Sequence, residues 1–156
     1  MVNNMADLAG IAELRRQCEE YDLAGREILD RFSLEELAAK YNGAGPDSWI
    51  PEARYALTTG MALFKPVVLI HDIQFAQSDG SDAGFQQAVN DWIVNTGKIL
   101  RAEFPLFTWR MLSRSYRLNM AYWTSVKYMA DAAISGPAAK RAWIAAYNNK
   151  QGAKNE

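Results

Sequence analysis

Apolar side chains recur at intervals of three and four residues along most of this 156-residue chain, and this spacing constrains the fold more than any other feature. Such intervals place side chains on one face of an α-helix, whereas no stretch alternates apolar and polar residues as a half-buried β-strand does. The spacing therefore predicts an all-α fold. Residues 5–21 show the pattern clearly, at Leu8, Ile11, Leu14, Cys18 and Tyr21.

Capping and turn residues predict where the helices begin and end. The capping box Ser33-Leu34-Glu35-Glu36 starts a helix at Leu34 that runs to about Lys40. Pro51 and Pro66 each suit the first turn of a helix, and these helices end near residues 63 and 77. The short turn at 78–81 makes its two flanking helices an antiparallel hairpin within a small multi-helix bundle. Further helices are predicted over 82–100, 105–135 and 138–147.

The length suits one domain over residues 1–156, and a hydrophobic content of 49% is enough to bury a core. No repeat or interdomain linker interrupts it. Within the domain we expect four regions in chain order. They are an acidic helical front (1–40), a loop and hairpin (41–100), basic aromatic helices (105–147) and a frayed polar tail (148–156).

The near-neutral total charge hides an asymmetry between the two parts of the chain. Residues 1–97 hold 7 basic and 15 acidic side chains, a net charge of −8, whereas residues 98–156 hold 10 and 3, a net charge of +7. Arg110, Arg114 and Arg117 form one helical stripe among aromatic residues, and we expect this stripe to face the acidic front. The open alternative is an anionic lipid surface, while a nucleic-acid partner is not expected without a binding motif.

One cysteine and one histidine exclude several classes of site. Cys18 alone cannot build a disulfide framework, and Cys18 with His71 cannot form a Cys/His zinc site or a multi-histidine phosphohydrolase centre. The N-terminus lacks a basic start followed by an apolar stretch, so no Sec signal peptide is predicted. We therefore expect a cytoplasmic protein, or one exported without a Sec signal peptide.

Two short motifs carry chemistry. His71 and Asp72 are adjacent on the helix predicted after Pro66, and their side chains point about 100° apart. His71 could act as a general base on water while Asp72 binds a cation beside it.

The second motif is the loop Tyr41-Asn42-Gly43-Ala44-Gly45, whose glycines allow a backbone that aims carbonyl oxygens inward. A carbonyl-rich loop with one carboxylate is chemically a calcium site, and an ordinary helix-terminating loop is the alternative.

Together the two motifs resemble the calcium loop and active-site helix of the phospholipase A2 superfamily, most closely its short, disulfide-free bacterial and phage-type members. The matching stretches are Tyr41-Asn42-Gly43-Ala44-Gly45 and His71-Asp72-Ile73-Gln74-Phe75. The resemblance implies that the carbonyl oxygens of Tyr41, Gly43 and Gly45 bind calcium with the Asp72 carboxylate. It also implies that His71 activates a water that attacks the sn-2 ester of a phospholipid. Phe75 stands where the family usually has a tyrosine.

The same resemblance implies a second acid, on the partner helix of the hairpin, that orients the histidine. Asp91 is our prediction, because it lies on the same face of the partner helix as the position level with His71 and is closer to that level than Asp82 is. Asn90 and Asp82 remain alternatives. The implied function is a calcium-dependent, peripheral hydrolase of phospholipid membranes. A non-catalytic lipid- or protein-binding domain on the same scaffold, of phage or secretion-system origin, and a helical interaction module with coincidental motifs are the alternatives.

Overall fold

The computed structural model describes residues 8–41 and 60–153, and in these ranges the chain is all-α, with no β-strand. The predicted fold class is confirmed. Short 3-10 turns at Arg26–Arg31, Ala62–Phe64 and Trp109–Leu112 join the helices. The α-helices are α1 (Leu8–Glu20), α2 (Leu34–Lys40), α3 (Lys65–Ala76), α4 (Asp82–Glu103), α5 (Arg114–Ser135) and α6 (Pro137–Gly152).

The helix starts predicted from capping residues are confirmed. The Ser33 hydroxyl accepts a hydrogen bond from the Glu36 amide at 3.2 Å, and the Ser33 amide donates to the Glu36 carboxylate at 2.8 Å. This reciprocal pair satisfies two amides that a helix N-terminus leaves without partners. Ser81 caps α4 by accepting from the Gly84 amide at 3.0 Å.

Two predicted boundaries are wrong. The long C-terminal helix begins at Arg114 rather than at Pro105. Two side-chain hydroxyl groups cap separate helical segments in this region. Thr108 caps the 3-10 turn and Ser113 caps α5, each by accepting from a backbone amide. The last helix continues to Gly152, so residues 148–152 are helical rather than a frayed tail. Of the helix predicted over 52–63, residues 52–59 lie outside the described residues.

Helix α3 is the central helix of the bundle. Val67, Leu69, Ile70 and Ile73 are each at most 1% exposed, and helices α1, α2, α4 and α6 all contact α3. Burying each such side chain stabilises the fold by about 1.5–3 kcal/mol. A turn at 77–81 returns the chain, and α4 packs antiparallel against α3. The His71-Asp72 pair is therefore carried by the helix that most of the bundle surrounds.

Helix α6 docks on the turn of this hairpin through Trp143. The Ser78 hydroxyl donates to the Trp143 carbonyl at 2.8 Å, and the Trp143 indole donates to the Ser81 carbonyl at 3.1 Å. The indole also meets the Phe75 ring edge-on at 5.2 Å. These contacts fix the end of α3 just beyond His71.

Cys18 provides a test of how α1 packs on α3. The thiol is fully buried and donates a hydrogen bond to the Pro66 carbonyl at 3.3 Å, and burial raises the pKa of Cys18 to about 12. Because the thiolate is the reactive form, we expect the folded protein at pH 8 to react with Ellman's reagent at least about 1,000-fold more slowly than free cysteine. Unfolding in urea should restore the rate. Rapid reaction of the native protein would contradict this packing.

Candidate functional site

His71 lies in an aromatic setting at the surface of the hairpin, with its side chain 12% exposed. Its imidazole is 4.2 Å from the Phe75 ring and 5.2 Å from the Trp92 ring, measured between ring centroids. Nδ1 is 3.9 Å from the nearer Asp72 oxygen. Nε2 is buried and has no hydrogen-bond partner among the described residues. Ring packing therefore orients this histidine, with Nδ1 on the side of Asp72.

Trp92, which contacts His71, is held in turn by α5. Its indole donates a hydrogen bond to the Asp131 carboxylate at 3.1 Å, and Lys127 forms an ion pair with the same carboxylate. Sequence reasoning missed this group. One signal was present, since Asp131 is the only acidic residue between Glu103 and Glu156 and lies four residues after Lys127.

Tyr41 brings the start of the predicted calcium loop to the His71-Asp72 pair. It follows α2, and its hydroxyl is buried with no hydrogen-bond partner among the described residues. Burial, together with the nearby negative charge of Asp72, raises the pKa of Tyr41 to about 12. Residues far apart in sequence thus lie within electrostatic reach of each other. Gly43 and Gly45 lie outside the described residues.

Asp91 is buried on α4, but it does not form the predicted hydrogen bond with His71. Its two carboxylate oxygens accept hydrogen bonds from the Gln74 amide at 2.7 Å and from the Gln87 amide at 2.8 Å. The backbone of Gly25 packs against the same carboxylate. Both oxygens therefore have neutral amide donors, and neither accepts a hydrogen bond from His71.

The two alternatives to Asp91 lie in solvent. Asp82 is the first residue of α4, where it forms an exposed ion pair with Lys140 at 2.9 Å. Asn90 is exposed on the same helix. Neither side chain forms a hydrogen bond or ion pair with His71 among the described residues. No acidic side chain of α4 is therefore hydrogen-bonded to His71 in the described part of the chain.

The arginine stripe does not face the acidic front, so that prediction is wrong. Arg110, Arg114 and Arg117 are exposed, and none of them forms an ion pair within the described ranges. The physical reason is that several carboxylates of the front have closer partners: Glu13 and Glu20 pair with Arg16, and Asp30 pairs with Arg15. Asp22 pairs with Arg26 and also with Lys98, so the front meets the basic part of the chain through Lys98 rather than through the stripe.

The donor chemistry limits which cation this site could hold. Within residues 8–41 and 60–153, no three His, Cys, Asp or Glu side chains come together as a metal site. A site here would therefore depend on backbone carbonyls together with Asp72. Such all-oxygen donors suit a hard ion such as calcium rather than zinc.

Comparison with known proteins identifies no relative. No protein-family model matches the chain, and neither a curated protein nor a solved structure matches it. A functional assignment therefore depends on the residues themselves.

Proposed function

We propose that this protein is a calcium-dependent, phospholipase A2-like hydrolase that cleaves the sn-2 ester of phospholipids. The observation that carries the proposal is the proximity of Tyr41 to Asp72, beside His71. Tyr41 is the first residue of the glycine loop, and its hydroxyl feels the charge of Asp72 in the helical His-Asp pair. This supports assigning the loop and the pair to one site.

Calcium would be held by the carbonyl oxygens of Tyr41, Gly43 and Gly45 and by the carboxylate of Asp72. Asp72 suits this role because its side chain is only 13% exposed, so its charge is weakly screened by water. When bound, calcium supplies positive charge that stabilises the developing negative charge on the ester oxygen.

His71 would act as the general base. Nδ1 faces the Asp72 side, so a water molecule there could give its proton to Nδ1 as it attacks the ester. The imidazolium would then give that proton to the glycerol oxygen, which leaves as the ester C–O bond breaks. The neutral ring would carry its own proton on Nε2, the buried nitrogen. Phe75 and Trp92 would keep the ring in this orientation during the reaction.

Calcium binding is tested by thermal unfolding with calcium or with EDTA. A ligand at about 100 times its dissociation constant adds about 2.7 kcal/mol of stability, which raises the melting temperature of a domain of this size by several degrees. We expect this shift in the wild type and not in Asp72→Asn. Asp82→Asn is the matched control, because it removes an exposed carboxylate on the same hairpin and should keep the shift.

Catalysis is tested by fatty-acid release from mixed phospholipid vesicles in calcium. We expect release by the wild type and none above background by His71→Gln, which keeps a polar side chain but removes the base. Release that persists in His71→Gln would contradict the catalytic assignment.

The second candidate function is a non-catalytic lipid- or protein-binding domain on the same scaffold. The observation that favours it is the hydrogen bonding of Asp91 to Gln74 and Gln87 instead of His71. Without a carboxylate that accepts from Nε2, the imidazolium is less well stabilised during proton transfer. A wild-type protein that shows the calcium shift but releases no fatty acid would support this candidate.

A further inference from the structure

The segment that joins α4 to α5 carries large apolar side chains in solvent. Phe107 is fully exposed, Trp109 and Leu112 are 80% and 85% exposed, and Leu106 is 60% exposed. Large apolar residues exposed this close together mark a surface that contacts a partner or a membrane. We call residues 104–118, which are this connection and the first turn of α5, the apolar-basic segment.

Side-chain hydrogen bonds to backbone carbonyls hold this segment against α5 while its apolar side chains stay exposed. The Tyr116 hydroxyl donates to the Pro105 carbonyl at 3.0 Å, which ties the start of the segment to α5. The Arg117 guanidinium donates to the carbonyls of Met111 and Leu112 at 2.7 and 3.2 Å. These bonds hold the segment folded back on α5, with Phe107 and Trp109 directed into solvent.

The charge of the region has a single sign. No Asp or Glu occurs from residue 104 to residue 130, whereas Arg110 and Arg114 lie between the exposed apolar side chains. Both arginines are exposed, and neither has a carboxylate partner in the described part of the chain. The surface therefore combines apolar area with positive charge that the protein does not neutralise.

We propose that the apolar-basic segment docks on an anionic phospholipid bilayer. Aromatic and leucine side chains would enter the boundary between headgroups and acyl chains, while the arginines remain at the level of the phosphates. The inference rests on the proposed function for phospholipid as the partner, and it locates the surface that would hold the protein at the membrane. In residues 8–41 and 60–153 no helix is long and apolar enough to cross a bilayer.

Other occupants fit this surface less well. A second copy of the chain would offer an acidic front on which several carboxylates already pair with Arg15, Arg16 and Arg26. A nucleic acid would neutralise the arginines, but its phosphates would leave Leu106 and Leu112 in water. An anionic bilayer satisfies both the charge and the apolar area.

The test is sedimentation with vesicles in EDTA, so that binding is measured without calcium or catalysis. We expect the wild type to bind vesicles of phosphatidylcholine with phosphatidylglycerol far more strongly than vesicles of pure phosphatidylcholine. Each arginine near an anionic surface contributes about a fivefold factor in binding, so Arg110→Gln/Arg114→Gln should weaken binding about 25-fold. Phe107→Ser/Trp109→Ser should weaken it at least about tenfold.

Arg141→Gln/Ile144→Ser on α6 is the matched control, because it also removes an exposed charge and an exposed apolar side chain. It should bind as the wild type does. Absence of binding to anionic vesicles, or equal weakening by the control, would overturn the proposal. So would a dimer in sedimentation equilibrium that Phe107→Ser/Trp109→Ser dissociates, because a second copy would then be the occupant.

Failure of this inference and failure of the proposed function give different results. His71→Gln and Asp72→Asn should bind vesicles in EDTA like the wild type. A protein that binds vesicles through Trp109 but releases no fatty acid would retain the docking surface and lose the hydrolase assignment. A protein that hydrolyses dispersed phospholipid without binding vesicles would retain the hydrolase assignment and lose the docking surface.

Discussion

Replacing Asn95 with leucine is expected to lower the free energy of unfolding by about 3 kcal/mol or more. Asn95 is fully buried on α4, and its side chain makes two hydrogen bonds to the backbone of Ala24. The amide oxygen accepts from the Ala24 amide at 2.7 Å, and the amide nitrogen donates to the Ala24 carbonyl at 2.9 Å. Leucine would leave both backbone groups without partners, and its own apolar burial would offset only part of that loss.

Urea denaturation followed by circular dichroism measures this change. Asn90→Leu is the matched control, because Asn90 lies on the same helix but is exposed. We expect it to change stability by no more than about 0.5 kcal/mol. Equal effects of the two substitutions would show that Asn95 does not join α4 to the chain segment after α1.

Replacing Gly25 with alanine is expected to cost about 3 kcal/mol of stability. Gly25 has a φ of +78°, in the left-handed region that disfavours side chains. An added Cβ would also lie 2.9 Å from both the Asp91 carboxylate and the Gln74 amide. The substitution would therefore strain the backbone and disturb a buried hydrogen bond at the same time.

Gly10→Ala is the matched control for this experiment. Gly10 lies within α1, and an added Cβ there meets nothing within 4 Å. Alanine favours a helix interior over glycine by about 0.5–1 kcal/mol, so Gly10→Ala should stabilise the protein. The two glycine substitutions are thus expected to have opposite signs in urea denaturation. A mild effect of Gly25→Ala would mean that the Gln74–Asp91 contact can move.

Local rules predicted the parts of the fold that local forces control. The capping box at Ser33 and the hairpin turn at 78–81 depend on residues within a few positions of each other, and both are confirmed. The predicted start at Pro105 was wrong because proline only permits a helix start. The caps at Thr108 and Ser113 and the folding back of residues 104–113 on α5 decide where the helix begins.

The candidate site was likewise predicted from sequence only where a local pattern defines it. Sequence reasoning identified His71, Asp72 and Tyr41 as candidates, because a motif is a local pattern. It did not identify Trp92 and Asp131, which form their contact across two helices. It also predicted that Asp91 would face His71 from its level on the hairpin. Height along a helix does not determine which donors a carboxylate meets, and Gln74 and Gln87 lie closer.

The sequence by itself determined the all-α class, the central hairpin and the single position at which histidine chemistry can occur. These follow from side-chain spacing, capping and composition, which act within a few residues. Only the tertiary structure decided the partners of the charges: Glu20 and Asp30 of the acidic front pair with arginines of α1, Asp22 pairs with Arg26 and Lys98, and Arg110 and Arg114 remain in solvent. The physical reason is that an ion pair forms between groups that packing brings within a few ångströms, whereas a charge count averages over the whole chain.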